Sequence, residues 1–168
     1  MKNIGIIFGS TTGTCESLAA AVAEKLGVSA DNVINVTDIT ADKAESYDVL
    51  VLGSSTWGDG ELQDDWYDGL ATLKSANLSG KTVALFACGD SDSYSSTFCD
   101  AMAELKAGLA SSGVTFVGAV DASGYSYDDS RAVEDGKFIG LALDDVNESS
   151  KTDARISAWA DALKPYLA

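Results

Sequence analysis

Directly after the apolar run Ile4–Phe8 the chain reads Gly9-Ser10-Thr11-Thr12-Gly13-Thr14-Cys15-Glu16 and then enters a stretch with helical spacing. Hydroxyls and consecutive backbone N–H groups at a helix N-terminus present donors and the positive end of the helix dipole. Ser10, Thr11, Thr12, Gly13, Thr14 and Cys15 are therefore suited to hold a phosphate without a lysine. The pattern is not a Walker A loop, because no Lys follows the second glycine, and it is not GxGxxG, so a dinucleotide site is disfavoured. A Ser/Thr-rich cap on a tight turn is the open alternative. Two further segments are rich in Gly, Asp and Ser: Gly53 to Trp66, and Gly89 to Thr97. Both are too polar or glycine-rich for element interiors.

What surrounds these segments narrows the chemistry. The 168 residues hold 11 Lys+Arg against 26 Asp+Glu, a formal charge of −15, and no histidine. Such a surface repels phosphate backbones and anionic headgroups, so nucleic acid and membrane partners are excluded. Without His the usual proton shuttle, the Ser-His-Asp and Cys-His pairs and His-ligated metals are unavailable, and neither catalytic residues nor a metal site is expected. Cys15, Cys88 and Cys99 form no CxxC pair, and no basic, apolar leader precedes the first strand, so a reducing cytoplasm is the expected compartment. No apolar run approaches the roughly 20 residues a bilayer requires. One domain spanning 1–168 is expected from the length and the 46% apolar content.

The elements that must position the polar segments follow from periodicity. Apolar runs at Ile4–Phe8, Val33–Ile39, Val49–Leu52, Val83–Cys88 and Thr115–Val120 predict strands, several too uniformly apolar to face water. Between them Leu18, Val22 and Leu26, then Phe98, Met102, Leu105 and Leu109, and finally Ile156, Trp159, Ala160 and Leu163 before Pro165, predict one-sided helices. Gly27 and Gly113 sit where two of these should stop. Alternation of strand and helix requires crossovers and hence a doubly wound parallel sheet with helices on both faces. The polar excursion Asp121–Lys137, followed by the apolar run Phe138–Leu143, reads as an insertion into an edge strand that then resumes.

Four segments in order, Ile-Phe-Gly-Ser-Thr-Thr-Gly-Thr-Cys-Glu-Ser, Ser-Thr-Trp-Gly-Asp-Gly-Glu-Leu-Gln, Ala-Cys-Gly-Asp-Ser-Asp-Ser-Tyr and Phe-Ile-Gly-Leu-Ala-Leu-Asp, resemble the long-chain bacterial flavodoxins over essentially the whole chain. The resemblance implies an α/β, flavodoxin-like five-stranded parallel sheet of order 2-1-3-4-5 with an insertion in the fifth strand. It implies a site at the point where strand order reverses, a geometry for which flavodoxin is a standard reference. It also implies non-covalent FMN and a low-potential one-electron carrier that cycles through semiquinone and hydroquinone states without a substrate of its own.

On that resemblance Ser10 to Cys15 would wrap the FMN phosphate. Relatives carry Thr or Ser where this chain has Cys15; a thiol donates more weakly than a hydroxyl, so a lower phosphate affinity is expected, with the Cys15 backbone N–H retained. Trp57 and Tyr94 would sandwich the isoalloxazine, and their polar or flexible neighbours Gly58, Asp59, Asp92, Ser93 and Ser95 disfavour ordinary core packing. Trp66 and Trp159, in helical patterns, are packing residues. Gly58 with Asp59 would control redox state, its carbonyl turning toward flavin N5 at little steric cost, a plain turn being the alternative. Backbone groups of Gly60, Asp90, Thr97 and Cys99 would read the pyrimidine edge, with Cys88, Gly89 and Phe98 beside them, and Ser55 and Thr56 near the ribityl chain and phosphate.

Acidic residues have a place as well. No Lys or Arg occurs from Ala44 to Leu73 or from Thr82 to Leu105, the stretches that carry these two loops. At about 12 Å and an effective dielectric near 40, each carboxylate repels an anionic flavin by roughly 0.7 kcal/mol. The same field would steer basic-faced redox proteins, a flavodoxin/ferredoxin reductase or oxidoreductases of low potential, to a monomeric carrier. Two other functions fit these motifs less well. An FMN-dependent NAD(P)H:quinone reductase needs an open flavin face, which a Trp57/Tyr94 sandwich closes. A receiver-type signalling domain needs an acidic pair after the first strand and a Lys ending the fifth, where Gly9-Ser10 and Asp121 stand.

Overall fold

The computed structural model describes residues 2–9, 13–57, 61–92, 94–145 and 147–167, with Trp57 and Glu61 described by their backbone alone. In chain order the elements are β1 (Ile4–Gly9), α1 (Thr14–Leu26), β2 (Val33–Asn35), α2 (Ala41–Glu45), β3 (Val49–Trp57), β4 (Glu61–Leu62), α3 (Asp65–Ser75), β5 (Thr82–Cys88), α4 (Ala101–Leu109), β6 (Thr115–Val117), β7 (Val120–Asp121), β8 (Val133–Glu134), β9 (Lys137–Phe138), β10 (Leu141–Leu143) and α5 (Ser149–Leu167).

The central sheet is parallel with order β2-β1-β3-β5, and its fifth position is shared. β6 pairs with the first half of β5 (Thr82 opposite Thr115) and β10 with its last half (Cys88 opposite Leu143). The chain between them is the insertion, which folds into a small antiparallel sheet β7-β9-β8. The expected order 2-1-3-4-5 with an interrupted fifth strand is what the structure shows.

Apolar residues need no alternation here because both faces are covered. Ile6, Phe8, Val49, Val51, Phe86 and Leu143 pack with Leu18, Val22, Ile156, Trp159 and Leu163 of α1 and α5. Ile7, Leu50, Leu52, Leu85 and Ala142 pack with Trp66, Leu73, Met102, Leu105 and Leu109 of α3 and α4. The two helical tryptophans are buried, as read from their spacing.

Several boundaries differ from the apolar pattern. The strand at Val49–Leu52 continues to Trp57, through the glycine- and serine-rich start of the second polar segment, and the resumed fifth strand is only Leu141–Leu143, Phe138 pairing instead with Val120 and Val133 inside the insertion. Val33–Ile39 is a strand only to Asn35, whose side chain accepts the Thr37 N–H at 3.0 Å and starts a 3-10 turn. The run Thr115–Val120 leaves the sheet at Gly118, at φ +89, whose carbonyl accepts the Trp159 indole N–H at 2.8 Å. A Cβ at Gly118 would lie 2.7 Å from that indole nitrogen. Helix α4 begins at Ala101, so Phe98 lies in the turn before it. Helix α5 runs past Pro165 to Leu167, so the proline lies in the last turn, where it forgoes the N–H that would bond to the carbonyl four residues back.

Candidate functional site

Strand register assembles the site. Gly9 lies opposite Ser54, Ser55 opposite Cys88, and Cys88 opposite Leu143. The carboxyl ends of β1, β3, β5 and β10 are therefore neighbours at one end of the sheet. From β1 the chain passes through α1 to β2 on one side, while β3 pairs on the other, so this end holds the reversal of strand order where α/β sheets bind ligands.

At the first segment Gly13 is the N-cap of α1, at φ +90, a conformation glycine adopts without penalty. With no side chain it cannot cap the first-turn N–H groups, which disfavours the reading of this motif as a hydroxyl cap. Thr14 and Cys15 open the helix itself. The Cys15 side chain is fully buried in the core beneath α1. The Cys88 thiol is raised well above its ordinary value by a hydrogen bond with the Cys15 thiol and by burial. Ser10, Thr11 and Thr12 lie outside the described residues.

At the second segment β3 turns back on itself: Thr56 pairs with Leu62 and Trp57 with Glu61 in antiparallel register. Buried Ser54 Oγ donates to the Ser55 carbonyl at 2.8 Å and accepts the Gln63 N–H at 3.1 Å. The Trp66 indole N–H donates to the Gly53 carbonyl at 2.7 Å, fixing the start of α3 under the turn. Thr56 Oγ1 is buried and has no hydrogen-bond partner among the described residues. It stands two residues past Ser54, which lies opposite Gly9 at the end of β1. An orphaned hydroxyl at that place fits a ligand oxygen, because a buried polar group left unpaired costs about 1–3 kcal/mol. Gly58, Asp59 and Gly60 lie outside the described residues, as does the side chain of Trp57.

The third segment, 89–100, is a chain of turns. Gly89 N–H donates to the Leu143 carbonyl at 2.9 Å, Tyr94 N–H to Asp90 at 2.9 Å and Thr97 N–H to Tyr94 at 3.2 Å. Tyr94 is 49% exposed, so it is no core aromatic. Cys99 is buried at φ +54, with its thiol 3.6 Å from the Ala87 carbonyl oxygen, and burial pushes that thiol up as well. Phe98 is buried too. Its ring packs with Tyr125, Tyr127 and Phe138 of the insertion, so the side chain anchors the segment and only its backbone is left to face a ligand.

Two holding groups escaped the reading of the sequence. Asp144, fully buried after β10, accepts the Ser91 N–H at 3.2 Å, the Ser91 hydroxyl and the Asn147 N–H at 3.0 Å. Asp100, also buried, accepts from Arg131. An Asp beside Ser-rich turns is a weak local signal, and its partners lie tens of residues away. A cavity of about 620 Å³ at the sheet edge, lined by Phe116, Gly118, Phe138 and Tyr166 among others, contains none of the three segments.

Sheet order, a glycine-capped helix after β1 and polar turns at the strand ends define a doubly wound α/β protein with its candidate site where the strand order reverses. The chain matches the family model for flavodoxin over residues 6–159. It is 40% identical to flavodoxin 1 of Azotobacter vinelandii over 168 residues, covering 98% of this chain and 97% of that one. It is 37% identical to the flavodoxin of Synechocystis sp. over 170 residues, covering 99% of each. The crystal structure of Fusobacterium nucleatum flavodoxin bound to flavin mononucleotide superposes with a TM-score of 0.90 at 29% identity, covering 100% of both chains. The chain belongs to the flavodoxin family, and as a member it is an FMN-dependent electron-transfer protein rather than an enzyme.

Proposed function

We propose that FMN binds over the carboxyl ends of β1, β3 and β5, and that the buried, unpartnered Thr56 hydroxyl carries this assignment. Thr56 Oγ1 and the N–H groups of Gly13, Thr14 and Cys15 hold the phosphate, together with Ser10, Thr11 and Thr12. Cys15 acts through its backbone, since its side chain is committed to the core. Ser55 stands beside the ribityl chain. Tyr94, half exposed at the strand ends, forms one wall for the isoalloxazine, and Trp57 forms the other. Gly58 and Asp59 are assigned to the reacting edge, and Gly60 to the pyrimidine edge. Cys88, Gly89, Asp90, Thr97, Phe98 and Cys99 frame the pyrimidine end.

Once bound, the flavin supplies the one-electron chemistry. The protein's own contribution is to exclude water with two aromatic faces and to place negative charge near the ring. Asp90, Asp92, Asp64, Asp65 and Asp68 lie in or beside the segments at this end and disfavour a second negative charge on the flavin, which lowers its potential. The same charge guides redox proteins with basic faces, such as a flavodoxin/ferredoxin reductase, to the exposed ring edge. Among the described residues no helix is long and apolar enough to cross a membrane. The working picture is a monomeric, single-domain cytoplasmic carrier. Dithionite titration followed by visible absorption tests the reading: two successive one-electron stages are expected, and a colourless protein that takes up no FMN would overturn it.

A further inference from the structure

Among the described residues two buried side-chain polar atoms have no hydrogen-bond partner, Thr56 Oγ1 and NH1 of Arg155. Thr56 belongs to the proposed flavin site, and Arg155 does not. It stands in α5, its side chain 12% exposed, with the guanidinium carbon 3.9 Å from the centre of the Tyr125 ring. Its NH2 donates to the Gly124 carbonyl and to the Glu148 carboxylate, each at 3.1 Å. A guanidinium carries five N–H donors, and leaving those of NH1 buried and unpaired is unfavourable.

Nor is the charge of Arg155 balanced. Glu148 divides its carboxylate, its other oxygen accepting Lys151 at 2.8 Å, so the three side chains carry one net positive charge in a chain of −15. Arg155 lines a cavity of about 330 Å³ with Val120, Asp121, Tyr125, Trp159 and Ala162, to which none of the three strand-end segments contributes. Positions 155, 158, 159 and 162 share one face of α5 by helical spacing, and the alanines at 158 and 162 leave room that larger side chains would fill. The Trp159 indole N–H is committed to Gly118 and the Tyr125 hydroxyl to Ala142, so both rings offer apolar surface. Apolar walls around a cation short of acceptors are the make-up of a small-molecule site.

We propose that this cavity binds a small organic monocarboxylate with a compact apolar body. Its oxygens take the N–H groups of Arg155 NH1, and its body lies against Val120, Tyr125 and Trp159. A carboxylate suits the place better than a neutral acceptor, because its two oxygens match the guanidinium fork and it cancels the surplus charge. Asp121 disfavours a second negative charge on the ligand. That carboxylate is held apart from Arg155 by its own contacts, accepting the Ser123 N–H at 2.8 Å and lying opposite Lys137 in the β7–β9 pair. The site is independent of where the flavin lies.

The test titrates the FMN-loaded protein with benzoate and with its neutral analogue benzamide, following the Trp159 indole N–H by NMR. Benzoate should shift that resonance saturably, with a dissociation constant of about 1 mM or tighter. Benzamide should bind about tenfold more weakly. Arg155→Lys keeps the charge but loses the fork and should weaken benzoate about fivefold. Ala158→Leu fills the cavity from an exposed position, leaves every contact of Arg155 in place, and should abolish saturation. Asp121→Asn keeps an oxygen for Ser123 and should tighten benzoate about twofold without changing benzamide. No saturable shift up to about 20 mM benzoate would show that water alone serves NH1 and would overturn the site. Equal affinity for benzoate and benzamide, or wild-type benzoate affinity in Arg155→Lys or Ala158→Leu, would overturn it as well.

Discussion

The two segments that face each other across the site are built in opposite ways. The turn after β3 is fastened by its own neighbourhood. Ser54 meets Gln63 nine residues on, Trp66 meets Gly53 thirteen residues back, and β3 pairs directly with β4. The turn after β5 is fastened by distant chain: Asp100 to Arg131 at a separation of 31, Ser91 to Asp144 at 53, Asp90 to Asn147 at 57. Closing longer loops costs more entropy, though slowly, so the first wall can form with α3 while the second must await β10 and the insertion. One wall is fastened by near neighbours in sequence, and the other by remote ones, through polar bonds and the packing of the Phe98 ring on the insertion. Loosening them should therefore have different consequences.

Removing the anchor of the first turn should have the largest effect. Trp66 is fully buried among Val36, Gly69 and the β1 end, and its indole N–H holds the Gly53 carbonyl. Trp66→Ala should lower global stability by about 4 kcal/mol in urea unfolding, by lost burial and an unfilled cavity. Trp66→Phe should cost about 1–3 kcal/mol, mainly through the carbonyl left without its donor. A loss under 1 kcal/mol for Trp66→Ala would mean that the first wall is no more integral to the core than the second.

This contrast also explains what could be read from sequence. The central strands, the helix faces, Trp66 and Trp159 were legible because burial on both sides leaves a continuous apolar signature. The phosphate segment was legible because glycine and hydroxyl residues follow a strand directly. Asp100 with Arg131, and Asp144 with Ser91, were not, since one buried carboxylate among 26 acidic residues has no local mark and its partner is set by the fold. Phe98 misled for a related reason: its spacing fits the α4 face, yet it packs against aromatic residues of an insertion whose structure periodicity does not reveal. The end of the fifth strand's first half depended on one contact, Trp159 to Gly118.

The second effect is one of pH and centres on β5 and its turn. Cys88 and Cys99 are buried with thiol pKa values raised, Cys88 first by its hydrogen bond with Cys15 and Cys99 first by desolvation. In the unfolded chain such thiols ionise near 8.5, so above that pH the unfolded state loses protons that the folded state keeps. Stability is fully present well below pH 8.5 and falls as pH rises, by about 1 kcal/mol for each thiol between pH 8.5 and 9.5 and so about 2 kcal/mol for both. Urea midpoints between pH 8.5 and 9.5 measure the slope, and Cys99→Ala should halve it. A flat profile would mean that the thiols ionise as readily in the fold as in the unfolded chain.

A smaller effect is expected at the other tether of the second turn. Asp144→Ala removes the acceptor for Ser91 and Asn147 and should cost about 2 kcal/mol, part of it from donors left unsatisfied in a buried place. Because the tether is remote in sequence, the loss should be concentrated in the turn. Amide exchange at 90–95 should quicken by more than exchange at the centres of β1, β3 and β5. Uniform acceleration across the sheet would show that Asp144 supports the core as much as the turn.

The smallest effect separates a ligand wall from a packing residue. Tyr94 is half exposed, so Tyr94→Ala should change the stability of the FMN-free protein by no more than about 0.5 kcal/mol. Loss of stacking on the flavin should weaken FMN by about 1 kcal/mol, roughly fivefold in dissociation constant. The same change at a core aromatic would do the reverse, destabilising the free protein first and FMN binding only as a consequence. Denaturation without FMN and titration with it therefore give opposite orderings for Tyr94 and Trp66. That inversion follows from one turn being integral to the core while the other is hung beside it and finds its second face in the cofactor.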